Sequence, residues 1–242
     1  MGGSARRARL AAMCNLFAST MPQDAMRSLF DVAPERDHLG NLAPLRAIFP
    51  RHDAPVLRMG QGGRELVLAH WGFPIPQTSK RTGAPIMPKA VNNARDDKLM
   101  ASGFWRGSFE ARRCLIPGTS FCEAKGRAPA VQHWFAVQDE DGEPMPFAFA
   151  GLWRRWRGMY RDEPRELDVF SMVTTTPNEV VAPVHPDRMP AILAPGDHAA
   201  WLEAPPADAL RLIRPYPAER MAVIGAGEGM RAEPSVEASR PP

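Results

Sequence analysis

The stretch Phe147-Ala148-Phe149-Ala150-Gly151-Leu152-Trp153 is seven residues of apolar and aromatic side chains, which reads as a strand. Comparable runs stand at 113–116 (RCLI), 133–138 (HWFAVQ) and 166–174 (ELDVFSMVT). Another, 65–73 (ELVLAHWGF), is expected to end at the breaker Pro74-Ile75-Pro76. Helical spacing is confined to short pieces. These are 23–30 (QDAMRSLF), a turn or two over 95–102 with Asn92-Asn93 as caps, 197–203 behind Asp197, and 207–213. Residues 31–50 read as irregular chain with a tight turn at Gly40-Asn41, and 77–90 as a polar loop. With no internal repeat and no βαβ alternation, the fold class is α+β, a mostly-β single domain with short helices and long loops.

The 242 residues and 44% hydrophobic content suffice for one sizeable core, and no apolar run is long enough to cross a membrane as a helix. Met1–Ala12 lacks the apolar segment of a secretory signal. Three cysteines without CxxC spacing argue against a disulfide framework or a zinc site and for a reducing compartment, so the expected location is the cytoplasm. Only four of the 30 basic residues are Lys, a composition that fits a GC-rich, bacterial genome. The net charge of +3 comes from Arg6, Arg7 and Arg9, so any nucleic-acid affinity must lie in local patches. Two qualify: 104–113 (FWRGSFEARR), with Arg106 and Arg113, and 153–161 (WRRWRGMYR). Both interleave Arg with aromatics, as phosphate contact plus base stacking would require, or as inward-packed loops would show.

Near the start stands Met13-Cys14-Asn15-Leu16. Removal of the residues before Cys14 would leave a cysteine with both a free α-amine and a thiol. Such a 1,2-aminothiol attacks an aldehyde first through nitrogen and then through sulfur, closing a thiazolidine. An α-amine pKa of about 7.7–8.0 leaves a usable neutral fraction at pH 7. On its own a lone cysteine is more often a small core residue. Three other segments carry chemistry. Asn93-Ala94-Arg95 offers an uncharged hydrogen-bonder and a phosphate-binding guanidinium, or else a helix cap. Glu123, beside Phe121 and Cys122, would gain a raised pKa on burial and could move protons, or it is an ordinary surface acid. His185, in the proline-stiffened loop 182–190 (APVHPDRMP), is suited to acid–base work. No His, Cys and acid combination has metal-ligand spacing, and no cofactor is expected.

Six short motifs occur in order: Met13-Cys14-Asn15-Leu16; Trp71-Gly72-Phe73-Pro74; Asn93-Ala94-Arg95; Arg113-Cys114-Leu115-Ile116-Pro117 on to Ser120-Phe121-Cys122-Glu123; Phe149-Ala150-Gly151-Leu152-Trp153; and Ala182-Pro183-Val184-His185 with Arg188-Met189-Pro190. Together they resemble the SRAP family, the SOS-response-associated peptidases or abasic-site-processing proteins. The resemblance implies a barrel-type sheet over 13–224, with residues 1–12 a mis-assigned or non-native extension; the low hydrophobicity and Gly, Pro, Ser and Glu content of 225–242 read as a disordered tail. It implies a protein that removes its initiator Met and crosslinks, through the exposed cysteine, to the aldehyde of an abasic site in single-stranded DNA. Carried over by motif, Cys14 is the nucleophile, Asn93, Glu123 and His185 complete the site, Arg95 holds phosphate, and Trp71 lines the cleft. A monomer is expected. Two other classes remain open from the residues alone. One is a conventional cysteine peptidase using Cys14, His185 and Glu123 or Asn93; the other is a DNA- or RNA-binding module with an inert cysteine.

Overall fold

A computed structural model describes residues 14–160 and 163–235. In chain order the strands and helices are β1 (Phe17–Ser19), α1 (Gln23–Phe30), β2 (Leu45–Ile48), β3 (Asp53–Gly60), β4 (Gly63–Trp71), β5 (Phe73–Thr78), β6 (Pro85–Val91) and β7 (Asn93–Arg95). There follow α2 (Gly103–Ala111), β8 (Arg113–Gly118), β9 (Ser120–Lys125), β10 (Val131–Gln138), β11 (Pro144–Met145), β12 (Phe147–Tyr160) and β13 (Glu163–Thr175). The chain ends with β14 (Met189–Pro190), β15 (Ile192–Leu193), α3 (His198–Glu203), α4 (Pro206–Arg211) and β16 (Met221–Glu228).

Five strands close into a barrel in the order β13-β4-β3-β8-β12 and back to β13. The one parallel contact in the ring is β4 on β13, with His70 beside Val169. Closure removes the free edges that long apolar strands such as β12 and β13 would otherwise expose. Gly151 on β12 is required by the packing, because a Cβ there would lie 2.8 Å from both Cys114 Sγ and Ile116 Cδ1. A second sheet, β11-β10-β9-β1-β2 with β16 on β10, packs against the barrel. Phe17, Trp71, Phe121, Phe135, Phe149 and Phe170 fill the space between them. On the outside of the barrel the helices contribute Met26, Phe30, Trp105, Phe109 and Trp201 to a separate apolar layer.

The apolar runs at 65–73, 113–116, 133–138, 147–153 and 166–174 all fall on strands, and the helices at 23–30, 197–203 and 207–213 lie within a residue or two of their expected bounds. Other expectations need correction. Pro74-Ile75-Pro76 does not end a strand: β5 runs through it and pairs with β6, so 77–90 is mostly hairpin rather than loop. Proline is tolerated because this two-stranded ribbon has free edges. Gly72, at φ 118°, turns the chain from β4 into β5, and a Cβ there would meet Ala90 Cβ at 2.7 Å. The helix expected over 95–102 is a single 3-10 turn at Asp96–Lys98; the true helix α2 begins after Ser102, whose hydroxyl accepts from the Phe104 N–H. Asn92 and Asn93 cap nothing, and Asp197 makes no side-chain capping bond. The interval 31–50 contains β2 as well as irregular chain.

Residues 225–228 belong to β16, paired with β10 as far as Val131 and Glu228, so the chain is ordered beyond the expected boundary at 224. After β16 the segment folds back. The Trp134 indole donates to Met230 O, and the Glu233 carboxylate accepts from the hydroxyls of Thr20 (2.8 Å), Thr119 (2.8 Å) and Ser120 (2.6 Å). The expected extension 1–12, Met13 and the last seven residues of the expected tail lie outside the described residues.

Candidate active site

Cys14 sits three residues ahead of β1, buried in the seam between barrel and second sheet. Its carbonyl oxygen accepts from two side-chain amides, Asn93 Nδ2 at 2.9 Å and Asn92 Nδ2 at 3.1 Å. Adjacent residues in a regular strand face opposite ways. Asn92 escapes this rule because it lies in the one-residue break between β6 and β7. That break is itself fixed: Asn92 O accepts from Trp71 Nε1 at 2.9 Å and from Met172 N at 3.0 Å. The second Asn92 hydrogen goes to Asn15 Oδ1 at 2.7 Å.

Glu123 comes from β9, the strand beside β1, and is buried. Its carboxyl meets Cys14 through both the thiol and the backbone N–H. Burial holds the Glu123 carboxyl well above the usual carboxylate range, and the contacts with Cys14 draw it partly back. Burial likewise pushes the Cys14 thiol well up, and the Glu123 charge adds to it. The thiol donates weakly to Leu16 O at 3.7 Å. Nitrogen and sulfur of Cys14 thus face one acid, which in its neutral form can donate a proton and in its charged form accept one.

β13 joins the remaining parts. Asn93 and Arg95 of β7 run beside Met172 and Thr174, and Thr174 also pairs with Pro190 of β14. Ahead of β14, Asn178 Oδ1 accepts the N–H groups of Val180 (3.2 Å) and Val181 (3.0 Å), starting a tight turn that ends at His185. His185 Nδ1 accepts from Arg188 N at 3.1 Å, so the neutral ring carries its hydrogen on Nε2. That Nε2 is buried without a hydrogen-bond partner among the described residues, as is Asn93 Oδ1. Buried polar atoms are rarely left so. Asn93 thus holds the cysteine with its amide nitrogen and keeps its amide oxygen unspent. Arg188 is buried too; it donates to Asp96 Oδ1 at 2.6 Å and to the Thr174 carbonyl, locking the His185 turn to the chain after Arg95.

The fold therefore puts Cys14, Asn93 and Glu123 in contact, with His185 tied in through β13 and Arg188. Arg95 is exposed at the rim in an ion pair with Asp97 (2.9 Å). Three expectations change. Trp71 is fully buried, stacked on Phe170 at 6.1 Å; it supports Asn92 from below and does not line a cleft. Arg113 is buried, spending its donors on Phe109 O (2.7 Å) and on the carbonyls of Trp201 and Ala204 at the end of α3, so it is unavailable to a phosphate. Arg106, exposed on the outer face of helix α2, donates to Met100 O at 2.8 Å, and no contact among the described residues links it to Cys14. Asn92 and Arg188 were missed as site residues. The Asn92-Asn93 doublet read as a helix cap, and Arg188 read only as part of the setting of His185. Among the described residues no group of three or more His, Cys, Asp or Glu could hold a metal ion.

A closed barrel with a buried cysteine, held by asparagine amides against a buried glutamate, defines the class: the chain belongs to the SOS response associated peptidase (SRAP) family, whose pattern matches residues 13–228. Among curated proteins it is 33% identical over 184 residues to "Abasic site processing protein YoqW" of Bacillus subtilis, covering 75% of each chain. It is 28% identical over 220 residues to "Abasic site processing protein YoaM" of the same organism, covering 86% of this chain and 88% of that one. A crystal structure of a Bordetella bronchiseptica protein superimposes with a TM-score of 0.66 at 25% identity, covering 89% of this chain and 99% of that chain.

Proposed function

We propose that the protein acts on abasic sites in single-stranded DNA and captures them covalently through Cys14 once that residue is the N-terminus. The observation that carries this reading is that both nucleophilic atoms of Cys14, its nitrogen and its sulfur, face the buried Glu123 carboxyl while Asn93 and Asn92 hold the Cys14 carbonyl. As an α-amine the nitrogen attacks the C1 aldehyde of the ring-opened sugar. Glu123 supplies the proton that lets the hydroxyl depart as water, leaving an imine. The Cys14 thiol then adds to the imine carbon, its proton returning to nitrogen, and the thiazolidine closes with net loss of one water. His185 Nε2–H and Asn93 Oδ1 are the unspent polar atoms available to the sugar oxygens. Arg95, at the rim, holds a backbone phosphate.

The same groups would assist hydrolysis of the Met13–Cys14 peptide, and the active species begins at Cys14. It works as a monomer in the bacterial cytoplasm. A conventional cysteine peptidase needs a thiol–imidazole pair; among the described residues the Cys14 thiol contacts Glu123 and Leu16 O, with no hydrogen bond to His185.

The test compares protein beginning at Cys14, verified by intact mass, with protein retaining the preceding residues, each mixed with single-stranded DNA bearing one abasic site. The expected product is a heat-stable adduct, equal in mass to protein plus DNA minus one water, formed only by the first. No adduct, or equal adduct from chains whose mass shows residues 1–13 retained, would reject the proposal.

A further inference from the structure

The two Arg-aromatic segments of the sequence meet in space away from Cys14. Trp153 N donates to Arg112 O at 2.9 Å, placing the end of the first segment against the second. A cleft of about 400 Å³ opens there, lined by Arg58, Arg112, Trp153, Arg154, Arg155 and Asp168. Two of its four guanidiniums are neutralised: Arg58 donates to Asp168 at 2.9 Å and to Glu65 at 2.7 Å, and Arg155 pairs with Glu166 and, at 3.7 Å, with Asp168. The other two are not. Arg112 and Arg154 have no carboxylate or hydrogen-bond acceptor among the described residues, and the Nε of each is buried and unpartnered.

Burial and the like charge of Arg112 both push the Arg154 guanidinium below the ordinary arginine value. Arg154 is nonetheless held in place, stacked over the rings of Phe73 at 4.2 Å and Phe104 at 4.7 Å. Arg58 covers the Trp153 ring at 4.1 Å. The held fork of Arg154 and the guanidinium of Arg112 beside it, both unneutralised and with free N–H groups, match a tetrahedral oxyanion. Asp168 lies in the same cleft, but its charge is already shared by Arg58 and Arg155.

We propose that Arg112 and Arg154 form a phosphate-binding site, separate from the Cys14 site. Arg154 lies opposite Val169, five residues along β13 from Thr174, the neighbour of Arg95. At about 3.3 Å per residue Arg154 is set roughly 17 Å along that strand from Arg95 and about 10 Å from Asn93, which holds Cys14 and pairs with Met172. The phosphate comes either from a nucleic-acid backbone or from a free phosphate monoester.

The experiment follows the Arg112 and Arg154 Nε–H resonances of the full-length protein by NMR during titration with inorganic phosphate, and separately with oligothymidylate lacking abasic sites. In parallel, oligothymidylate affinity is measured against salt for wild type, Arg112→Gln and Arg154→Lys. Arg112→Gln is the main variant because Arg112 stacks on no ring; Arg154→Lys keeps charge and tests the fork. Both Nε signals should shift with saturation. If the source is a backbone, Arg112→Gln binds oligothymidylate about 5- to 10-fold more weakly at low salt, with a log–log salt slope shallower by about 0.7. If the source is a free monoester, phosphate shifts the signals while oligothymidylate affinity is unchanged. Unmoved Nε signals with both probes would overturn the proposal. Adduct formation at Cys14 is expected to persist in both variants, so failure here is distinguishable from failure of the Cys14 reading.

Discussion

The side-chain amide of Asn93 donates to the main-chain carbonyl of Cys14 across 79 residues of sequence, at 2.9 Å, in a buried setting. A cysteine in irregular chain ahead of a strand has no ladder bonds to hold it, and this one helps fix the direction of its nitrogen and sulfur. Replacing Asn93 with Ala leaves the carbonyl with Asn92 as its one donor among the described residues. An unmade buried hydrogen bond costs about 1–3 kcal/mol. Asn93→Ala should therefore slow adduct formation about 10-fold or more while unfolding only a few degrees earlier. Single-turnover crosslinking rates and thermal melts would measure the two.

Glu123 gives a pH signature. A carboxyl whose folded pKa exceeds its unfolded value binds its proton more tightly when folded. Its favourable contribution is then present below the ordinary carboxylate pKa and is lost as pH rises toward the raised value. In protein whose Cys14 nitrogen is an amide, Glu123→Gln removes the buried charge, so the variant should melt above wild type at pH 7–8 and converge with it near pH 4. Each kcal/mol released corresponds to roughly 2–4 °C for a domain of this size. Its rate of adduct formation from the Cys14 N-terminus should fall sharply; an undiminished rate would remove the proton-transfer role.

Arg188 joins Asp96 and Thr174 in a buried cluster. Deleting one partner of a buried pair costs about 3–5 kcal/mol. Arg188→Met should lower the melting temperature by roughly 6–20 °C and release the His185 turn, visible as faster amide exchange at His185.

Arg113 separates a structural arginine from a DNA-binding one. Its carbonyl acceptors lie at the ends of α2 and α3. Arg113→Ala should destabilise by about 1–3 kcal/mol, with no change in the salt dependence of oligothymidylate binding. A shallower slope in a variant that melts normally would restore the phosphate role.

The sequence displayed those parts of the fold in which apolar content and strand length agree. Residues 147–153 and 166–174 read as strands, and they form two walls of the barrel. Misreading came where a local signal had two uses. Proline normally stops a strand, yet Pro74 and Pro76 sit in a ribbon whose edges need no N–H. Asn92-Asn93 is good capping chemistry, but the long-range demand of the Cys14 carbonyl took both side chains. Gly225–Glu228, poor in apolar residues, is strand because β10 offers it an edge. Of the site, residue types were legible through motif order; burial was not, and burial decides that Trp71 and Arg113 serve the framework.

The Glu233 bond to Thr20 spans 213 residues, nearly the whole chain. At the usual 5–20 residues per second, Thr20 is synthesised roughly 10–40 s before its partner exists. Strand β1, which begins three residues after Cys14, gains β2 on one edge early and must wait for β9, the strand of Glu123, on the other. Cys14 is thus made early, and it meets its acid only after about half of the chain has been synthesised.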